Sequence, residues 1–209
     1  MINPGFYFYF KDAVKNYTKN AIVIDRLWDD VAVHYTEVSR HYHTIKHLEA
    51  LTNELIEVKE QLSDWNLVVF AIAYHDIIYN PQKNDNEEKS ADHAAKLLFG
   101  LLDVQSLESC RYMIIATKNH ELDNEADVNY FNDADLSILG ASTDNYQIYA
   151  KEIRKEYELY PDFIYNQGRQ KVLKHFLAMK QIYKTDYFFN KYEPQARTNL
   201  NTELEKLFN

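Results

Sequence analysis

The feature that most constrains this chain is an apolar segment that ends in a histidine and an aspartate. Residues 65–73 read WNLVVFAIA and are predicted to be buried, and Tyr74, His75 and Asp76 follow directly. Ionisable side chains beside buried apolar surface are costly unless a partner compensates for their desolvation. A hydrogen-bonded pair or a bound divalent cation would serve, since imidazole and carboxylate both ligate metals. The choice depends on whether the chain supplies further ligands.

Glycine and proline are scarce in this chain, which favours helices over a loop-rich β fold. There are four of each among 209 residues, and 46% of the residues are apolar. That apolar fraction is typical of a globular protein, and the length provides for a substantial core. The sequence shows no run of strict apolar alternation, no internal repeat and no linker. We therefore predict one all-α domain over residues 1–209.

Apolar residues at helical spacing predict a succession of helices. The predicted helices cover about residues 18–34, 41–61, 87–102, 106–118, 144–160, 162–183 and 193–208. One additional helix is predicted after residue 64. That additional helix is expected to begin after an N-cap at Ser63 or Asp64, to carry His75 and Asp76, and to end at Pro81. A polar stretch over residues 119–129 leads to an apolar-flanked segment that contains Asp133.

Charge, cysteine content and the N-terminal residues exclude several classes of protein. The net charge of −9 provides no basic footprint for nucleic acid, although a local pocket for one phosphate group remains open. Cys110 is the single cysteine, so an intrachain disulfide and a thiolate metal cluster are excluded. Residues 1–10 are apolar but lack a basic leader and are too short to span a membrane. We expect them to cap the domain or form a homodimer contact in a cytoplasmic protein that does not bind a membrane.

The chain contains enough histidine and aspartate residues for a four-ligand metal site. The candidates lie in three separated segments: His43 and His47, then His75 and Asp76, then Asp133 and Asp135. The four-residue spacing of the first pair places both histidines on one face of a predicted helix. Two imidazoles and two carboxylates favour Mn²⁺, Fe²⁺, Co²⁺, Ni²⁺ or Zn²⁺, with coordination positions open to water.

The order of these segments resembles the HD superfamily of metal-dependent phosphohydrolases. The signature of that superfamily is a histidine, a His-Asp pair and a distant aspartate, and the closer resemblance is to a bacterial group of predicted HD phosphohydrolases. The matching segments cover much of the chain: residues 40–47, 73–79, 86–91, 116–120, 133–140 and 153–157. The resemblance implies a single helical bundle of the HD-domain type.

The resemblance also implies roles for individual residues. The implied metal ligands are His47, His75, Asp76 and Asp135, the last preferred over Asp133 because it matches an Ala-Asp pair. In related phosphodiesterases the first histidine of the Tyr-His-x-x-x-His pattern protonates the leaving oxygen. His43 is therefore the candidate general acid, and Asp76 is a candidate bridge between two ions. The implied cofactor is one or two divalent ions, Mg²⁺ included.

Several further residues have two interpretations each. Glu88, Lys118 and His120 lie in matching segments and are candidates for a second metal or for substrate binding, or else are ordinary surface residues. His93 is a candidate second-metal ligand, but a solvated helix face is the expected interpretation. Arg40 could offer positive charge to a phosphate, although a surface charge is the more common role of such a residue.

These observations favour an enzyme. We predict a metal-dependent hydrolase that cleaves a phosphoester bond in a nucleotide or other small phosphorylated metabolite, with a metal-activated hydroxide as the nucleophile. One alternative is an HD-type enzyme of another class, such as a di-iron oxygenase. Another is a non-catalytic binding or regulatory module that a metal stabilises. The acid candidate His43 beside a complete ligand set favours catalysis, and the sequence leaves the substrate open.

Overall fold

The computed structural model describes residues 5–207, and its helical architecture confirms the all-α prediction. No strand occurs within this range. The α-helices are α1 (Phe6–Lys15), α2 (Ala21–Tyr35), α3 (Ile45–Glu57), α4 (Trp65–Tyr74), α5 (Asn86–Leu98), α6 (Val104–Ala116), α7 (Ala126–Asp135), α8 (Thr143–Glu156), α9 (Asp162–Ala178) and α10 (Asp186–Lys206). Short 3₁₀ helices cover Lys59–Gln61 and Leu136–Gly140.

The chain divides into two compact units, Met1–Asn132 and Asp133–Asn209. Helices α1 to α6 belong to the first unit and helices α8 to α10 to the second, and the boundary falls within α7. The assignment of residues 1–209 to one domain stays a prediction.

Helix α4 forms the centre of the first unit. Its N-cap is Asp64, one of the two residues predicted for this position, and the Asp64 carboxylate accepts a hydrogen bond from the Leu67 amide at 3.0 Å. Residues 67–74 are all buried, and α1, α3, α5 and α6 pack against this helix. A helix that is apolar on all sides is stable only when it is enclosed in this way. Within residues 5–207 no helix combines the length and the apolar character needed to cross a membrane.

The aromatic N-terminal segment packs on its own unit as helix α1. Phe6 and Phe10 are buried, and their rings lie 6.3 and 5.9 Å from the ring of Trp28. This arrangement supports the expected cap, although residues 1–4 of that segment lie outside the described residues. Tyr7 and Phe8 are exposed, and the ring of Tyr7 also lies 4.7 Å from that of Trp28. The homodimer contact stays a prediction.

Helix α4 ends earlier than the sequence predicted. It stops at Tyr74 rather than at Pro81, so that Asp76 lies in a turn and not on a helix. Arg40 provides the physical reason, because its guanidinium donates to the carbonyl oxygens of Asp76 at 2.7 Å and Ile77 at 2.8 Å. In a continued helix the Ile77 carbonyl would need an amide donor at residue 81, and Pro81 has none.

Two helices were not predicted, and one begins earlier than expected. Helix α1 was not assigned, and α7 falls in a segment whose apolar spacing is weak. Asp127 in the first turn of α7 accepts hydrogen bonds from the amides of Ser63 at 2.8 Å and Asp64 at 3.0 Å. This long-range contact has no local sequence signal. Helix α10 begins at Asp186 instead of residue 193 and continues through Pro194.

A buried polar network joins three helices of the second unit. Arg169 on α9 donates to both carboxylate oxygens of Glu203 on α10, at 2.8 and 3.0 Å. The hydroxyl of Tyr146 on α8 donates to the same carboxylate. Burial raises the pKa of the Tyr146 phenol, which therefore remains a neutral donor. The network satisfies charges that would be costly to bury singly.

Candidate metal centre

Three of the predicted metal ligands come together in the first unit. His47 lies in the first turn of α3, His75 caps the C-terminal end of α4, and Asp76 follows in the turn. The helices α3 and α4 pack against each other. One ligand atom from each of these residues lies within 4.8 Å of the other two. Helix packing thus brings together two histidines that are 28 residues apart in the sequence.

The distances among the three ligand atoms suit a single ion. His75 Nε2 lies 3.1 Å from Asp76 Oδ2 and 3.1 Å from His47 Nε2, and His47 Nε2 lies 3.8 Å from Asp76 Oδ2. Two atoms that are each about 2.1 Å from one ion are about 3.0 Å apart at a right angle and about 3.4 Å apart at a tetrahedral angle. The two separations of 3.1 Å fall within this range and the third, at 3.8 Å, exceeds it, so a small shift of the His47 or Asp76 side chain would complete the geometry.

Hydrogen bonding fixes the orientation and tautomer of His75. Its Nδ1 lies 3.0 Å from the carbonyl oxygen of Ile72, and a carbonyl can only accept, so Nδ1 carries the proton. In the neutral ring, Nε2 then presents a lone pair to the Asp76 carboxylate and the His47 imidazole. Metal-ligating histidines commonly donate their second nitrogen to a backbone carbonyl in this way. Both rings are almost fully buried, at 1% exposure for His75 and 3% for His47. The residues present therefore fit a divalent ion.

His43 lies beside the same carboxylate but before helix α3. The sequence placed it on the helix, whereas the structure begins α3 at Ile45 with Thr44 as the N-cap. Its Nε2 lies 3.7 Å from Asp76 Oδ2, and its ring centroid lies 4.3 Å from that of Tyr79. The side chain of His43 is 16% exposed, against 2% for His47. It is therefore the more accessible of the two histidines.

Arg40 corrects an expectation from the sequence. It is 5% exposed rather than a surface charge, and its side chain lies over the ring of Tyr35 at 4.9 Å. Because its donors contact the backbone carbonyls after His75, it holds the Asp76 turn in place. No local pattern in the sequence could have identified carbonyls that lie 36 residues away.

Lys118 and Glu88, both predicted near a second metal or substrate, pair with each other. Lys118 Nζ donates to Glu88 Oε1 at 2.5 Å and to the Asn84 carbonyl oxygen at 2.8 Å. This contact lowers the pKa of Glu88 and raises that of Lys118. A role of either residue at a second metal or substrate stays a prediction.

The neighbouring Glu87 interacts electrostatically with Asp76, which the sequence did not indicate. Burial is the largest cause of its raised pKa, and the negative charge of Asp76 contributes in the same direction. Adjacent residues on a helix point in different directions, so Glu87 and Glu88 have different neighbours. Their positions in the sequence do not show which of the two lies nearer to Asp76.

His120 directly follows the turn after α6. Its φ of 50° places it in the left-handed region, and its amide donates to the carbonyl oxygen of Ala116 at 3.2 Å. Its assignment to a second metal or to the substrate stays a prediction.

The two aspartates of the distant motif lie in the second unit. Asp133 is fully buried, and its carboxylate accepts hydrogen bonds from the amides of Lys184 at 2.8 Å and Thr185 at 2.7 Å, and from the Thr185 hydroxyl at 2.7 Å. These bonds hold the turn before α10, so Asp133 has a structural role. Asp135 is half-buried at the end of α7. Its role as a ligand stays a prediction.

No protein-family model matches this chain, and no curated protein matches it significantly. The resemblance to the HD superfamily therefore rests on the ordered motifs of the sequence.

Proposed function

We propose that this protein is a metal-dependent phosphohydrolase that acts on a small phosphorylated molecule. The observation that carries the proposal is the convergence of His47 Nε2, His75 Nε2 and Asp76 Oδ2 within 3.1–3.8 Å of one another. Two nearly buried imidazoles and a carboxylate form a donor set for a divalent transition ion. His43 beside this set provides an imidazole that a purely structural metal site does not require.

A bound divalent ion would supply a water whose pKa is lowered from about 15.7 towards about 7, and would offset negative charge on phosphoryl oxygens. The protein residues have separate tasks. His47, His75 and Asp76 would bind the ion, and the Ile72 carbonyl fixes the ring of His75. His43 protonates the departing oxygen, since its accessible Nε2 faces the same carboxylate. The assignment of Asp135 as a further ligand stays a prediction from the sequence motif.

Metal analysis of the purified full-length chain tests the proposal. Elemental analysis and calorimetric titration with Mn²⁺, Co²⁺ and Zn²⁺ measure binding, and phosphate release from a panel of phosphorylated metabolites measures activity. We expect Asp76→Asn and His75→Gln to lower both the metal affinity of this centre and phosphate release about 100-fold or more while the helical circular dichroism is retained.

His175→Gln is the matched control, because this histidine is exposed on α9 in the second unit. It should leave metal binding and activity unchanged. Absence of metal binding in the wild-type chain would contradict the metal centre. Iron-dependent oxygen consumption without phosphate release would instead support the oxygenase alternative. Unfolding on metal removal, with no activity, would support a regulatory module.

A further inference from the structure

A second cluster of potential ligands joins α2 and α5 in the first unit. It consists of Asp30, His34 and His93, and one ligand atom from each lies within 4.8 Å of the other two. His93 Nε2 lies 2.8 Å from Asp30 Oδ2, and the rings of His34 and His93 are 5.2 Å apart. The side chains are 21–24% exposed, so the cluster is sheltered yet accessible to an ion. It shares no residue with the His47, His75 and Asp76 centre.

The orientation of His34 is suited to metal binding. Asp30 and His34 are four residues apart on α2 and therefore lie on one face. His34 Nδ1 lies 2.7 Å from the carbonyl oxygen of Asp30, which can only accept, so this nitrogen carries the proton. Nε2 of the neutral ring then retains its lone pair. A histidine that donates one nitrogen to a backbone carbonyl and ligates through the other is the common arrangement at metal sites.

The buried hydroxyl of Tyr74 is an independent observation at this cluster. Tyr74 is 0% exposed, and its hydroxyl has no hydrogen-bond partner among residues 5–207. Its ring centroid lies 6.4 Å from that of His93. An unsatisfied buried hydroxyl costs about 1–3 kcal/mol and requires an explanation. A water bound to an ion would provide the partner.

We propose that Asp30, His34 and His93 form a second metal site, which takes a divalent transition ion such as Zn²⁺ or Co²⁺. Two imidazole nitrogens and one carboxylate oxygen favour such ions over Ca²⁺ and Mg²⁺, which prefer oxygen ligands. Three protein ligands would leave a coordination position for water. An ion here ties α2 to α5. The proposal is independent of the phosphohydrolase activity.

The site is tested in a full-length chain whose first centre is disabled. In a His47→Gln, Asp76→Asn background, calorimetric titration with Co²⁺ should still show one equivalent of bound ion. Adding His34→Gln or His93→Gln should weaken that binding about 100-fold or more, whereas adding His175→Gln should not. Binding that is unaffected by either His34→Gln or His93→Gln would overturn the proposal, as would absence of the equivalent in a folded background variant.

Imidazole nitrogen NMR of the otherwise unchanged chain provides a second measurement that does not depend on the variants folding. On titration with Zn²⁺ we expect shifts in the ligating nitrogens of both His34 and His93, with His175 as the internal control. Resonances of His34 and His93 that do not move at saturating Zn²⁺ would show that the cluster is a hydrogen-bonded network only, and would overturn the proposal.

Discussion

At the scale of single residues, the candidate centre separates histidines by their exposure. His47 and His75 are almost fully buried and face the Asp76 carboxylate, whereas His43 reaches the same carboxylate from a more exposed position. Buried rings are restricted in orientation, which suits metal ligation. An accessible ring can contact a substrate, which suits proton transfer.

The proposed proton transfer predicts a rate effect that depends on the leaving group. We expect His43→Gln to lower kcat about 10²–10⁴-fold for alkyl phosphate esters, whose leaving oxygen needs a proton. The loss should be much smaller for a p-nitrophenyl ester, whose leaving group departs unprotonated. Steady-state kinetics with both substrates, together with metal analysis, measures this difference. An equal loss for both substrates, or loss of bound metal, would contradict the assignment.

Arg40 is expected to stabilise the fold by holding the Asp76 turn. Arg40→Met leaves two carbonyl oxygens without their donors and should lower the free energy of unfolding by about 2–4 kcal/mol. Arg111→Met is the control, because Arg111 pairs with the exposed Asp92 and should contribute less than about 1 kcal/mol. Urea denaturation measures the free energy of unfolding of both variants. Similar decreases for the two would contradict the role of Arg40 in holding the turn.

At the scale of elements, close packing and buried charge decide how the helices of the second unit fit together. Gly140 ends the second 3₁₀ helix where it meets α10, and a Cβ atom added there would lie 2.5 Å from Tyr192 Cβ. The Arg169 and Glu203 pair, with Tyr146, links α8, α9 and α10. Both contacts depend on position in the tertiary structure rather than on helix propensity.

A pair of glycine substitutions tests the close approach at α10. Gly140→Ala should lower the free energy of unfolding by about 1–3 kcal/mol, because the added methyl group overlaps Tyr192 and the neighbouring backbone must move. Gly168→Ala should raise it by about 0.5–1 kcal/mol, since a Cβ atom there meets nothing within 4 Å in the middle of α9. Chemical denaturation measures both changes, and the same sign for the two variants would refute the packing argument.

The Glu203 pair predicts a dependence of stability on pH. Burial acts to raise the pKa of Glu203, but the Arg169 hydrogen bonds and charge and the Tyr146 hydroxyl outweigh it, so the folded-state pKa is lowered from 4.5. A lowered pKa contributes stability above the unfolded-state value, and this is lost as the pH falls through the folded-state value. Glu203→Gln should therefore cost about 3 kcal/mol at pH 6 and distinctly less near pH 3. Denaturation across this pH range measures the difference in the free energy of unfolding between the wild-type chain and the variant. A difference that does not change with pH would contradict the pairing.

At the scale of the whole molecule, metal binding is expected to stabilise the full chain. An ion at 100 times its dissociation constant adds about 2.7 kcal/mol per site. For a chain of this length that is a rise in Tm of about 5–10 °C, which a chelator should reverse. A variant combining Asp76→Asn with His93→Gln should melt at one temperature with and without chelator. A wild-type Tm that does not change when chelator is added would contradict both proposed sites.

The sequence by itself determined the helical class, and it identified His47, His75 and Asp76 as candidates for one site. The apolar spacing acts over one or two helical turns, so local chemistry is sufficient to predict most of the helices, although not α1 or α7. The tertiary structure alone decided where α4 ends, which carbonyls Arg40 contacts, and that His93 meets Asp30 across 63 residues. It also showed that Asp133 supports the turn before α10. These contacts depend on how helices pack, and packing brings together side chains whose separation in sequence carries no periodic signal.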